Sequence, residues 1–587
     1  MDTGRPSLSR KKGPLRTDGL VPLRTDRRAG SLAVVSGVVP ILFLGLFLVY
    51  PLVRILSQGL GPILAGGGEA LRRVLVDTAL ARLLGASALQ ALLSTLLTLA
   101  VGLPAAYAFA RYDFPGKTLL RTLLSIPFVL PTVVVASAFV VLIGPAGILE
   151  RVAAFLTGNP RIHVSLLRTL GAVLMAHVFY NVSIIVRIVG GFWAALDPRL
   201  EEAARVLGAG RVSSFLRVTT RLLLAPVGAA SLLVFAFCFA SFGVVLMLGG
   251  PRTGTLETEI YRQAVGLFNL PAAAFVSATQ LVTSAIVLFA YSRLQARLAI
   301  SRSLRVALYH RPRTAAQWVA VSVCGVAPAV ALLAPMAALV LGSVLTRTGF
   351  SFAYWKALFS PTGHSLFWTS PLTAAGHSFL FALEATALAL ALGIPAAYLI
   401  SRSQGSADRS LARGTGTAAD LLFLLPLGTS AVTLGLGYII SLNVPPIDLR
   451  ASALIIPIAH ALVALPLVVR SLLPPLRAIN PRVREAASIL GATTVQVRME
   501  IDLPLLRNAF IAAAAFAFTV SLGEFAATAL LTRPELMTLP VLVYNSFSRP
   551  GELNQGQALA LATVLMAACG LGLAAIERFR TEGREAF

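Results

Sequence analysis

Asn480-Pro481-Arg482-Val483-Arg484-Glu485-Ala486-Ala487-Ser488-Ile489-Leu490-Gly491 and, 283 residues earlier, Asp197-Pro198-Arg199-Leu200-Glu201-Glu202-Ala203-Ala204-Arg205-Val206-Leu207-Gly208 are two copies of one pattern. Each opens with Asp or Asn, which cap free backbone amides, and continues with Pro, which suits the first position of a helix. Leu200, Ala203, Ala204 and Leu207 recur at i, i+3, i+4 and i+7, as do Val483, Ala486, Ala487 and Leu490. Each copy therefore reads as a short helix with a narrow apolar stripe. Gly208 and Gly491 follow, where a glycine takes the left-handed turn that ends a helix. The same offset holds from His177 to Tyr261 against His460 to Tyr544. It pairs His177 with His460, Arg187 with Arg470, Phe242 with Phe525 and Thr255-Leu256 with Thr538-Leu539. Upstream, Gly102-Leu103-Pro104-Ala105-Ala106-Tyr107 echoes Gly393-Ile394-Pro395-Ala396-Ala397-Tyr398. The chain is an internal duplication.

What surrounds the repeat is a membrane protein. Of the 587 residues 57% are hydrophobic and 13% charged, about half the charge of a soluble domain, and the mean hydropathy is +0.81. A span needs about 20 mostly apolar residues. Such stretches are expected at 31–56, 85–110, 119–145, 170–192, 226–249 and 272–293. Six more, at 316–342, 375–401, 419–441, 451–473, 509–531 and 556–577, follow the basic loop of Arg302 to Arg313. The fold class is all-α and polytopic, with about 12 transmembrane helices in two six-helix halves. An even number of spans per copy makes the repeat parallel, about an axis along the membrane normal, with a path between the halves. An inverted repeat would need an odd number.

The net charge of +24 is a topology signal rather than a nucleic-acid footprint. With both termini inside, 35 of the 49 Lys and Arg fall on the cytoplasmic side and 14 on the other. The expected division is a disordered basic cytoplasmic tail at 1–30, a first half at 31–300 with its core repeat at about 85–293, and a cytoplasmic linker at 301–315. A second half at 316–580, with its core at about 375–577, and a tail at 581–587 complete it. No cleavable signal peptide is expected. Cys238, Cys324 and Cys569 lie in apolar spans without ligand or disulfide spacing, so no metal site and no cofactor are expected.

The doubled pattern resembles the permeases of binding-protein-dependent ABC importers, whose signature is Glu-Ala-Ala, three residues, Gly, nine residues, then Ile, any residue and Leu-Pro. The second copy matches throughout, at Glu485-Ala486-Ala487, Gly491, Ile501 and Leu503-Pro504. The first matches at Glu202-Ala203-Ala204 and Gly208 but reads Val218-Thr219-Thr220-Arg221 where Leu-Pro would end it. The resemblance implies that Glu202, Ala203, Ala204, Gly208, Glu485, Ala486, Ala487 and Gly491 belong to coupling helices seated on ATP-binding cassette ATPase subunits, two copies in all. It also implies an extracytoplasmic solute-binding protein and a place in the cell's inner or plasma membrane. No ATPase domain is expected in the chain, so the energy is expected to come from a partner. Pro115-Gly116-Lys117-Thr118 looks like the tail of a phosphate loop, but Arg111 stands where its first glycine belongs.

Fused permeases of this size resemble the ferric iron and thiamine import branch, as do Ala176-His177-Val178-Phe179-Tyr180-Asn181 and Ser521-Leu522-Gly523-Glu524-Phe525. Titratable groups inside spans are costly and mark candidate sites. Glu524 lies about 15 residues into its expected span, roughly 22 Å at 1.5 Å per residue. With His177, His460 and Ser241, the repeat mate of Glu524, it is a candidate for the translocation path. A carboxylate there suits a cationic cargo; alternatively Glu524 is a hydrogen-bonded structural acid and the histidines pack. Arg187 and Arg470 are expected to snorkel to the interface. A membrane-embedded enzyme would need a catalytic constellation, and neither HExxH nor Gly-x-Ser-x-Gly occurs. An ion-coupled secondary transporter is the remaining alternative, and it has no use for two docking helices.

Overall fold

The computed structural model describes residues 38–61, 72, 79–124, 126–145, 147–159, 166–197, 199–299, 310–346, 349–359, 369–403, 422–423, 425–426, 428–444, 447–449 and 452–585. The expected tail 1–30, most of the linker 301–315 and the last two residues of 581–587 lie outside them. Among the described residues eleven helices are long and apolar enough to cross a membrane. The first half contributes α1 (Val38–Gly61), α2 (Leu80–Arg111), α3 (Thr132–Thr157, helical in two pieces) and α4 (Leu170–Ala194). The short α5 (Arg199–Val206) leads into the spans α6 (Val212–Phe239) and, after the short α7 (Gly243–Leu248) and α8 (Leu256–Tyr261), α9 (Leu270–Ala299). The second half repeats this order with α10 (Ala315–Val344), α11 (Pro371–Ser403), α12 (Ala431–Ser441) and α13 (Ile455–Ala478). Then come α14 (Pro481–Ile489), α15 (Thr494–Leu522), α16 (Ala526–Leu531), α17 (Leu539–Phe547) and α18 (Glu552–Glu585). The tail expected at 581–587 thus continues the last helix as far as Glu585.

The third span runs Thr132–Thr157 rather than the expected 119–145, behind the short helices Lys117–Leu123 and Ile126–Val129, and two further features depart from the expected spans. The ninth, at 419–441, falls partly outside the described residues; its described part includes α12, a shorter apolar helix. The spans expected at 226–249 and 509–531 are not continuous. Each ends early, at Phe239 and Leu522, turns, and restarts as α7 or α16. Hydropathy averages over a window and cannot register a three-residue turn inside an apolar run.

The halves pack alike internally. A Cβ on Gly102 of α2 would lie 2.8 Å from Ile185 of α4, and one on Gly393 of α11 would lie 2.6 Å from Val468 of α13. Ile185 and Val468 are repeat mates, so the same backbone-to-side-chain contact closes each half. Between halves the first span crosses over. Pro51 and Ile55 of α1 lie against Gly437 of α12, and Gly342 of α10 lies against Val141 of α3. Each half's opening helix is therefore packed on the third span of the other, and one buried core runs through both.

Candidate functional site

The two candidate coupling helices, α5 and α14, form where the sequence places them. Asp197 Oδ1 accepts from Arg199 N at 3.0 Å, and Asn480 Oδ1 accepts from Arg482 N at 3.1 Å. At the far ends Gly208 and Gly491 have φ of +89° and +90°, a region that only glycine enters without strain. The following amides, Ala209 N and Ala492 N, reach back to Ala204 O and Ala487 O at 3.0 Å, which satisfies carbonyls that the helix leaves open. Neither helix has a buried residue. Glu202, Ala203, Glu485, Ala486 and the two glycines are exposed, and Ala204 and Ala487 are half-buried. Val206 and Leu207 are 86% and 88% exposed, and Ile489 and Leu490 are 82% and 88% exposed. Four large apolar side chains at the ends of two small helices make a surface built to be covered.

Each of these two helices is clasped to its own half by a polar contact that the sequence does not announce. Glu201 takes a salt bridge from Arg111, at the end of α2, at 2.5 Å, and a hydrogen bond from Thr219. In the second half Arg484 pairs with the buried Asp502 at 2.8 Å, and Tyr398 donates to the other oxygen at 3.0 Å. Glu201 and Arg484 are repeat mates, as are Thr219 and Asp502, so one clasp survives with its polarity exchanged. Identity matching overlooks it because no residue is shared. Thr219 and Asp502 sit in π-helical turns, Phe215–Thr219 and Val497–Asp502, which widen the helix where the chain enters the fifth span. Lys117, in the phosphate-loop lookalike, donates to Tyr112 O at 2.7 Å, and burial lowers its pKa to about 8 against the opposing pull of Asp113.

At the other end of the fifth spans the four candidate path residues lie at the two breaks, His177 with Ser241 and His460 with Glu524. His177 Nδ1 lies 2.9 Å from Ser94 Oγ and 3.0 Å from Gln90 Nε2, and its Nε2 lies 2.9 Å from Ser241 Oγ. His460 Nδ1 lies 2.8 Å from Ser521 Oγ, and its Nε2 lies 2.7 Å from Thr528 Oγ1 and 3.4 Å from Glu524 Oε2. Glu524 is therefore not within a span, as the sequence suggests, but in the turn between α15 and α16. There its carboxylate accepts from Ala527 N at 2.9 Å and from Thr528 N at 3.1 Å. These bonds satisfy amides that a broken helix exposes. Each histidine pins one break, through serine in the first half and through glutamate and threonine in the second.

Two contacts across the halves are also absent from the sequence reading. Arg187, expected to snorkel, reaches Glu577 of α18 at 3.1 Å. Glu257 of α8 is fully buried, accepting from Gln280 Nε2 at 2.8 Å and from Ser430 Oγ, at the start of α12, at 2.7 Å. Its repeat mate is Pro540, so the duplication offers no cue to it.

Residues 98–300 match the family described as "Binding-protein-dependent transport system inner membrane component". Over 533 residues the chain is 27% identical to "Thiamine transport system permease protein ThiP" of Brucella abortus (strain 2308), covering 89% of this chain and 92% of that one. It is 26% identical over 495 residues to the protein of the same name from Escherichia coli (strain K12), covering 83% and 87%. A 198-residue stretch is 31% identical to "Sulfate transport system permease protein CysT" of Salmonella typhimurium, covering 33% of this chain and 69% of the relative.

Proposed function

This chain belongs to the family of binding-protein-dependent transport system inner membrane components, and from that premise we propose that it is the transmembrane permease subunit of an ABC importer for thiamine. As a multi-pass membrane permease it is not itself an enzyme. Separate ATPase subunits, two copies, sit on α5 and α14 in this reading, and an extracytoplasmic binding protein delivers the cargo. Both termini and both docking helices face the cytoplasm, as the division of Lys and Arg favours, and the bilayer is the inner or plasma membrane. The thiamine assignment rests on similarity to thiamine transport system permeases over most of the chain. The buried carboxylates Glu257 and Glu524 suit a cationic cargo.

The observation that carries the reading is the pair of exposed, mated helices at the same ends of their spans. Ala203 and Ala486 are exposed, so Ala203→Arg and Ala486→Arg leave the fold within about 0.5 kcal/mol while placing a bulky charge in the docking face. The expected result is at least a ten-fold drop in ATPase retained by the purified permease, with membrane yield within two-fold of the unsubstituted chain. Undiminished capture by both variants contradicts the assignment.

A further inference from the structure

In a duplicated molecule, a residue that touches its own repeat mate lies on the axis relating the halves. Phe242 and Phe525 do so. They are mates, and their rings stack at 5.6 Å between centroids with 20° between planes. Tyr261 meets Phe242 at 5.3 Å and 54°, and its mate Tyr544 meets Phe525 at 5.3 Å and 53°. The two arms agree to within a degree, as an axis between them requires. The phenyl rings are buried and the two tyrosines half-buried.

The position of the cluster joins it to both candidate machineries. Phe242 follows Ser241 and Phe525 follows Glu524, so each phenyl ring stands on a break that a histidine pins. The breaks are the non-helical ends of α6 and α15, which begin beside the docking helices and run 28 and 29 residues, roughly 42 Å at 1.5 Å per residue. A displacement of α5 or α14 is thus carried by one helix to one member of the ring pair. The halves approach closely here: a Cβ on Gly243 of the first half would lie 3.2 Å from Phe525 Cδ1 of the second.

We propose that Phe242, Phe525, Tyr261 and Tyr544 form an aromatic gate on the repeat axis, closed in this structure by the phenyl stack, whose ring faces receive a flat organic cation when the halves separate. Parting the rings exposes aromatic faces, which attract a positive charge and stack on a planar ring. The tyrosine hydroxyls add polar handles. Glu524 lies one residue from Phe525, and Glu257 lies one helical turn from Tyr261 on α8. The gate stands independently of the cargo; its preference for a flat cation rests on the thiamine reading.

Two sets of variants in the full complex, reconstituted with its ATPase in liposomes, test the two parts. Phe242→Ala with Phe525→Ala removes the seal, so ATP-free leakage of choline should rise at least ten-fold over the unsubstituted complex; leakage at the unsubstituted level overturns the gate. Phe242→Leu and Phe525→Leu keep apolar bulk but remove the ring faces. Leakage should stay low while the KM for ATP-driven thiamine uptake rises about ten-fold. An unchanged KM overturns the contact between rings and cargo. Raised leakage in the alanine pair, together with no thiamine uptake by the unsubstituted complex, supports the gate and overturns only the cargo reading.

Discussion

At the break after α15, the Glu524 carboxylate accepts from two backbone amides and from the Thr528 hydroxyl while lying 3.4 Å from His460. A buried polar group tied into such a network is worth more than its separate bonds, because losing one partner strands the other. His460→Ala and Glu524→Ala should therefore not add. Thermal unfolding of the detergent-solubilised chain is expected to give a coupling of ~1–2 kcal/mol in the double-mutant cycle, and simple additivity contradicts the latch. The corresponding pair, His177→Ala with Ser241→Ala, has no buried carboxylate to strand. At this scale the sequence shows which residues matter but not how they are held. Paired histidines and a lone acid stand out in apolar runs, whereas the turn that makes Glu524 a helix cap depends on contacts from α13. Glu257 escapes notice because its partners, Gln280 and Ser430, are neutral and lie 23 and 173 residues away.

Among the elements, α5 and α14 are the most legible, since every signal that makes them is local: the capping Asp or Asn, the apolar spacing and the closing glycine. The clasps that tie them to the membrane core are not, because Glu201 with Thr219 and Arg484 with Asp502 conserve a geometry and not a residue type. A clasp matters if the docking helix is to move its span rather than slide over it. Arg484→Ala leaves the buried Asp502 with Tyr398 alone. With Arg484 about one-third exposed, the loss of stability should be modest, ~1–2 kcal/mol. The larger expected effect is on coupling. Cargo moved per ATP hydrolysed should fall at least three-fold while ATPase capture stays normal, and an unchanged ratio contradicts a role in force transmission. The broken fifth spans lie between these extremes. Their apolar content is plain, but their ends are set by the histidines of neighbouring helices.

For the whole molecule, duplication and hydropathy are enough to anticipate two parallel halves with a seam between them. They do not reveal that α1 lies on α12 and α10 on α3, because nothing in a span's composition says whose third helix it will meet. That crossover interlocks the halves at their opening helices, while the stacked phenyl rings and the Arg187–Glu577 contact join them elsewhere. The central claim is that ATP hydrolysed by separate ATPase subunits seated on α5 and α14 drives a cation along that seam. It is tested most directly by radiolabelled thiamine accumulation in liposomes holding the complex, with binding protein outside and ATP inside. The account predicts accumulation against a gradient that requires ATP and binding protein and survives collapse of the proton and sodium gradients. Accumulation driven by either ion gradient without ATP would contradict it.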